Sequence, residues 1–259
     1  MNPVKKALLL KFIIISSSIR GENLKPLRII IIIYCLNVFG YSQIYDTSPI
    51  NFIPINHASF IITNETQSIY VDPVQDISAY QAYQKANIIL ITHIHGDHFK
   101  PETVNKLKND DLKIIGPKNV IDELGLGTIL NNGENIKIGD ILIEAIPMYN
   151  LTEDRLKFHE KGKGNGYVVT MSDKRIYISG DTEDIKEMRE LKNIDYAFVC
   201  MNLPYTMTVE QATSAVLEFK PKVVYPYHYR GTKGYSDIEK FKRLVSVNRN
   251  IDIILLKWY

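Results

Sequence analysis

Cysteine is nearly absent from this chain, with only Cys35 and Cys200 among 259 residues. That excludes a fold stapled by internal disulfides, so stability has to come from a hydrophobic core. Charge of neither sign dominates, since 31 Lys and Arg stand against 29 Asp and Glu, and no basic block points to nucleic acid as a partner. Neither Gly-x-x-x-x-Gly-Lys nor Gly-x-Gly-x-x-Gly occurs, which removes the usual signals for binding a nucleoside triphosphate or a dinucleotide. No repeat, low-complexity tract or linker divides the chain. Nor is there an apolar run of the about 20 residues that a membrane-spanning helix needs.

A shorter apolar run is present near the start. Residues 29–35 read IIIIIYC, after Lys25 and Arg28 and before LNVFGYSQ. A basic flank, a short apolar stretch and small residues at Gly40 and Ser42 make the pattern of a secretory signal peptide. We expect residues 1–42 to be removed, leaving Gln43 first in an exported, periplasmic protein with no stable membrane span. A second basic-then-apolar start, MNPVKKALLLKFIII, lies upstream, and two in tandem make little physical sense. The expectation is that translation begins at Leu24 and that residues 1–23 are an extension. Six of the 31 Lys and Arg and one of the 29 Asp and Glu precede Gln43, leaving 25 and 28, a net charge of −3. The mild basicity of the whole chain therefore belongs to the export segment. Cys200, apolar-flanked in YAFVCMN, reads as a packed core residue.

Residues 43–259 read as one domain. NFIPINHASFIITN and QSIYVDPV are expected to pair as strands around the polar NETQ turn. NIILIT (87–92) has the continuous apolar run of a buried strand. A helix is expected over 101–109 with Pro101 in its first turn, then strand KIIGP and helix NVIDELG. Strands follow over 136–148 and 166–179, the latter turning at Ser172–Asp173. Beyond these the pattern alternates: a helix over 183–192, strand YAFVCMN, a helix opened by Thr208 with Gln211 as a capping box, strand KVVYPY, a helix opened by Ser236, and strand DIILLKWY. Strands first and strand–helix alternation afterwards imply stacked sheets with helices outside.

The histidines are concentrated. Three of six fall in ITHIHGDHFK, at His93, His95 and His98, with Asp97 among them. His93 and His95 are two apart in an extended segment, so their side chains share one side, and Gly96 is expected to let the backbone turn Asp97 and His98 towards the same space. Nitrogen and oxygen donors so gathered suit zinc. Asp181 follows an apolar strand and a Ser-Gly turn, and His228 ends strand KVVYPY. Both are placed to reach out of a sheet edge.

HIHGDH resembles the His-x-His-x-Asp-His signature of the metallo-β-lactamase-fold hydrolases. NHASF (56–60) with VDPV (71–74) resembles the opening of the lactonase-like and phospholipase-D-like branches. SGDT (179–182) and PYHY (226–229) are similar to later motifs, in the same order. The resemblance implies an α/β, four-layer αββα sandwich holding two divalent metal ions, usually zinc and alternatively manganese or iron. It also implies that His93 and His95 bind the first, Asp97, His98 and His228 the second, and that Asp181 bridges them. One departure stands out: the usual third ligand of the first metal would fall where Tyr149 and Asn150 stand, and His159, in RLKFHEKGKGNGY, is the expected replacement. His57 is expected beside the site without ligating.

Together these readings imply a metal-dependent hydrolase that uses a metal-activated water on an ester, lactone, amide or phosphodiester bond of a small substrate, with Asp97 and Asp181 catalytic. Asn202 and Tyr229 are candidates for supporting or substrate contacts, as are Tyr205, Arg230 and Lys233. The rival readings are an iron-dependent redox enzyme on the same fold and a non-catalytic metal-binding protein. Nothing in the sequence fixes an oligomeric state.

Overall fold

The computed structural model describes residues 49–259. The expected export segment, its cleavage point and the start at Leu24 all lie outside the described residues.

Six strands make the first sheet in chain order: β1 (Asn51–Asn56), β2 (Ser59–Thr63), β3 (Ser68–Val71), β4 (Ile88–Leu90), β5 (Lys113–Gly116) and β6 (Thr128–Ile129). The first three run antiparallel and the last four parallel. Between them lie α1 (Pro101–Lys106) and α2 (Lys118–Leu124). The second sheet contains β7 (Asn135–Ile138), β8 (Ile141–Met148), β9 (Gly164–Met171), β10 (Lys174–Ile178), β11 (Tyr196–Cys200), β12 (Val223–Tyr227) and β15 (Asp252–Ile253), ordered β15-β12-β11-β10-β9-β8-β7. Helices α3 (Lys186–Arg189), α4 (Val209–Phe219) and α5 (Ile238–Val245) belong to this half, and β13 (Arg230–Gly231) pairs with β14 (Gly234–Tyr235) as a separate hairpin.

Side-chain alternation explains the layers. Phe60, Ile62, Ile69, Val71, Ile88, Leu90 and Ile115 of the first sheet join one core with Ile143, Val169, Ile176 and Phe198 of the second. Ile61, Tyr70, Ile89 and Ile114 point the other way and pack with Val104 of α1 and Val120 and Ile121 of α2. The second sheet and its helices share apolar residues such as Ala212, Val216 and Phe241. This is the four-layer αββα sandwich. Cys200 is fully buried within it, and burial pushes its thiol up to about 12, which leaves it a core residue rather than a nucleophile.

Some elements differ from the sequence reading. NFIPINHASFIITN is two strands, because His57 takes a left-handed conformation (φ 57°) and turns the chain back on itself. The helix expected over 183–192 is one turn, since the preceding residues serve a loop described below. Helix α5 is capped by Asp237, whose carboxylate accepts from the Lys240 N–H, while the Ser236 hydroxyl donates instead to the Met201 carbonyl. Only Asp252 and Ile253 of DIILLKWY form strand, paired with β12. Among the described residues no helix is long and apolar enough to cross a membrane.

β1, β3 and β4 run in one direction in the first sheet, and β8, β10 and β12 in one direction in the second. His57, Asp72 and His93 follow the first three, and Asn150, Asp181 and His228 follow the others. Strand direction thus delivers the chemically active residues to one edge, where crevices of α/β sheets generally form.

Candidate metal centre

The His93–His98 segment leaves β4 and folds into a turn in which the His95 carbonyl accepts from the N–H groups of His98 (2.9 Å) and Phe99 (2.8 Å). Gly96 is not what makes this turn: its φ is not positive, and a Cβ there would meet no atom within 4 Å. His93 and His98 are buried, while His95 and Asp97 face solvent. The Nε2 of His93 lies 3.0 Å from Nδ1 of His95.

Asp181 reaches the same space from the end of β10. Its Oδ1 lies 3.1 Å from Nε2 of His228 and 3.5 Å from Nε2 of His98, and its Oδ2 lies 3.5 Å from Nε2 of His159. The two Nε2 atoms of His98 and His228 are 3.0 Å apart. Asp97 completes the rim, its Oδ2 3.7 Å from Nε2 of His228 and 3.9 Å from that of His98. One carboxylate therefore spans two groups of imidazoles, and a second closes one of them.

His159 arrives by a detour. The chain leaves β8 at Met148, runs through 150–159 and returns, closed by the Asn150 N–H donating to the His159 carbonyl at 2.9 Å. Nine residues of added chain thus bring an imidazole back beside Asn150, at the β8 end. The loop is moored by Glu183, fully buried, which accepts from the N–H groups of Leu151 and Thr152 (both 2.5 Å), the Thr152 hydroxyl (2.7 Å) and the Arg155 guanidinium (2.6 Å). Gly164 just after the loop lets the chain pass close to the site, because a Cβ there would displace the end of the Met148 side chain and crowd the Cβ of His93 at 3.1 Å.

The outer nitrogens are also engaged. Nδ1 of His98 lies 2.7 Å from Oδ2 of the buried Asp72, which also accepts from the Thr92 hydroxyl, while Oδ1 accepts from the Thr92 N–H. A carboxylate there keeps the proton on Nδ1 and turns the lone pair of Nε2 inward. Nδ1 of His159 lies 3.2 Å from Nδ2 of Asn150, which itself donates to the Tyr205 carbonyl at 2.7 Å. Asn202 lies with Nδ2 3.1 Å from Nε2 of His228, and its carbonyl is pinned by the Thr206 hydroxyl at 2.5 Å. His57 stands with Nδ1 3.2 Å from Nδ1 of His228 and 2.7 Å from the Tyr259 hydroxyl. Tyr229 meets the cluster only through Tyr259, the two rings 5.1 Å apart. Asp72 and Tyr259 had no assigned role in the sequence reading. Three of these residues, His57, Asp72 and His228, have positive φ (57°, 44° and 45°), a conformation that costs such side chains of order 1 kcal/mol or more each and that clusters at functional sites.

The electrostatics suit cations. Burial holds His93 well below the ordinary imidazole range, and burial likewise lowers His159 to about 4, so both offer lone pairs near neutral pH. Burial raises the proton affinity of Asp181, but His228 and His98 outweigh it and hold the carboxyl well below its usual range. Burial lowers that of His98, but Asp181 and Asp72 on either side raise it further; the same two charges raise the affinity of Nε2 for any cation. The donors fall into three groups with ligand atoms within 4.8 Å of one another: His93, His95 and His159; His93, His98 and Asp181; and His57, Asp97 and His228. Oδ1 of Asp181 is buried without a well-formed hydrogen bond, and inward lone pairs around it fit divalent metal ions.

Beside this cluster lies a cleft of about 490 Å³ lined by His57, Asp97, Gln75, Lys100 and Arg230 among others. Lys233 lines a different cleft with Leu203, Pro204 and Tyr235.

Comparison with known proteins agrees with this geometry. The family model described as a β-lactamase superfamily domain matches residues 53–228. A crystal structure of a protein described as a metal-dependent hydrolase from Parabacteroides distasonis is 43% identical with a TM-score of 0.74, covering 80% of this chain and 92% of that one. A UPF0173 metal-dependent hydrolase of Thermococcus onnurineus is 30% identical over 217 residues, 78% of this chain and 94% of the relative. A metallo hydrolase from Ignicoccus hospitalis, 23% identical with a TM-score of 0.69 over 80% of this chain and 95% of that one, shares the fold. The chain belongs to the metallo-β-lactamase superfamily, among its metal-dependent hydrolases.

Proposed function

We propose that this protein hydrolyses an ester, lactone, amide or phosphodiester bond of a small molecule with two divalent metal ions, zinc in the first instance. The observation that carries the reading is Asp181, whose two oxygens face different imidazole groups, Oδ1 towards His98 and His228 and Oδ2 towards His159. On this reading His93, His95 and His159 hold one ion, Asp97, His98 and His228 the other, and Asp181 both. When bound, such ions supply a water of lowered pKa and positive charge for a developing oxyanion. Asp97 is half-exposed at the cleft mouth. It is placed to orient the attacking water and to take its proton, and the His57 ring at 3.3 Å fixes which way its carboxylate points. The adjoining cleft, about 490 Å³, limits the reacting end of the substrate to small-molecule dimensions.

Metal content decides the reading. Wild-type protein should carry about two ions per chain and hydrolyse a member of a lactone, thioester and phosphodiester panel; His159→Ala should lose roughly one of them. Two ions in both proteins would remove His159 from the site, and stoichiometric iron with redox-active spectra would replace hydrolysis by redox chemistry. We also propose export directed by residues 25–42. Sequencing the mature N-terminus should give Gln43, and a peptide from residues 1–23 would rule out a start at Leu24.

A further inference from the structure

We propose that Tyr259 and His57 form a positioning unit in which the Tyr259 hydroxyl fixes one tautomer of His57, and His57 in turn aims Asp97 and buttresses His228. The inference rests on the metal-dependent reading above for its purpose, but its geometry stands separately.

His57 touches three groups. Its Nδ1 lies 2.7 Å from the Tyr259 hydroxyl and 3.2 Å from Nδ1 of His228, and its Nε2 lies 3.3 Å from Oδ2 of Asp97. Asp97 is ionised and can only accept there, so Nε2 has to carry the proton. Nδ1 is then an acceptor, and both of its neighbours can donate. The phenol has a hydrogen to give, since burial pushes the Tyr259 pKa above its ordinary value. Nε2 of His228 faces the Asp181 carboxylate, so a cation bound between them would leave the His228 proton on Nδ1, facing His57. The opposite tautomer of His57 would set a lone pair against the Asp97 carboxylate. One assignment satisfies both the Asp97 and the Tyr259 contacts, and with a cation on Nε2 of His228 it also lets Nδ1 accept from His228.

The unit has its own support. Tyr259 packs against Tyr229 and Tyr235, with ring centroids 5.1 and 5.0 Å away, and the Arg230 guanidinium lies 4.9 Å over its ring. The rings of His57 and His228 meet edge to face at 3.9 Å. The two imidazoles that face Oδ1 of Asp181 are therefore backed differently. A carboxylate, Asp72, stands behind His98, whereas an imidazole whose tautomer is set by a phenol stands behind His228. Because the same imidazole holds Asp97, the orientation of the exposed carboxylate and the bond on His228 are tied together.

Nitrogen-15 NMR on histidine-labelled full-length protein, with and without zinc, tests the proposal. His57 should show a protonated Nε2 and a bare Nδ1 in both states. Tyr259→Phe keeps the ring and its packing but removes the donor. It should lower the Nε2–H population of His57 while near-UV dichroism stays unchanged, and zinc affinity by chelator competition should fall about tenfold. Protonation of His57 at Nδ1, zinc bound directly to a His57 nitrogen, or Tyr259→Phe matching wild type in both readouts would each overturn it. If Tyr259→Phe fails to fold, the wild-type spectrum still decides. If zinc does not bind at all, the proposed function falls, and the metal-free spectrum alone judges the tautomer.

Discussion

Each nitrogen aimed into the cluster is governed by what holds the other side of its ring, and Asp72 is the clearest case. Its two oxygens take the Thr92 N–H, the Thr92 hydroxyl and the Nδ1 proton of His98. Asp72→Asn keeps the shape but removes the charge that fixes the His98 tautomer, and zinc affinity should fall about 10- to 100-fold with the fold retained. Asp72→Ala should in addition cost about 2–4 kcal/mol in urea unfolding, because it leaves buried donors unpaired. Equal zinc affinity in Asp72→Asn and wild type would remove Asp72 from any such role. The sequence shows why this residue went unassigned while His93, His95, Asp97 and His98 stood out. Ligands gathered in one short window are visible as spacing, but Asp72 meets His98 across 26 residues and Tyr259 meets His57 across 202. Tyr229 attracted attention only because it follows His228. The chain turns at His228, whose φ is 45°, and the tyrosine that touches His57 comes from the far end of the sequence.

The 150–160 loop is the element on which the site is most dependent, and Glu183 is its mooring. Burial raises the proton affinity of Glu183, but the bonds from Thr152, Leu151 and Arg155 outweigh it and hold the carboxyl below its ordinary value. The folded pKa is the lower one, so the stabilisation is present above the unfolded value of about 4.3 and is lost as pH falls through the folded value. Thermal unfolding of the wild type should therefore weaken below about pH 4.3 more steeply than that of Glu183→Gln. Glu183→Ala, which strands Arg155, should cost about 3 kcal/mol or more and loosen the loop that presents His159. A pH profile identical in wild type and Glu183→Gln would show that the loop is held by something else. Element order was largely legible, because strands such as NIILIT and YAFVCMN are continuous apolar runs and Thr208 with Gln211 is a local capping signal, formed as both halves of the box. Helix 183–192 was overextended because Glu183 looks like a helix-favouring residue in one dimension. In three dimensions its side chain is committed to a loop some thirty residues upstream. The double strand around His57 was hidden for a related reason: histidine carries no turn signal, and only pairing of β1 with β2 forces its positive φ.

Across the whole molecule, two sheets aim the ends of like-directed strands at one edge, and the result is a concentration of donors that the polypeptide alone does not balance. Nε2 atoms of His98 and His228 stand 3.0 Å apart, both facing the ionised Asp181, and His57, Asp72 and His228 hold left-handed backbone to keep them there. A metal that binds this folded arrangement and not the unfolded chain stabilises the protein by mass action. At free metal 100 times its Kd the gain is about 2.7 kcal/mol. For a chain of this size each kcal/mol moves Tm by about 2–4 °C. Chelation should then lower Tm by roughly 5–10 °C, with recovery when zinc is restored in excess. Asp181→Ala should abolish most of that difference, because its carboxylate is the group that joins the two halves of the cluster. A Tm indifferent to chelator, in protein shown to have been loaded beforehand and stripped by it, would mean that metal does not prefer this folded arrangement to the unfolded chain, and the edge where the strands converge would need another explanation for its strain.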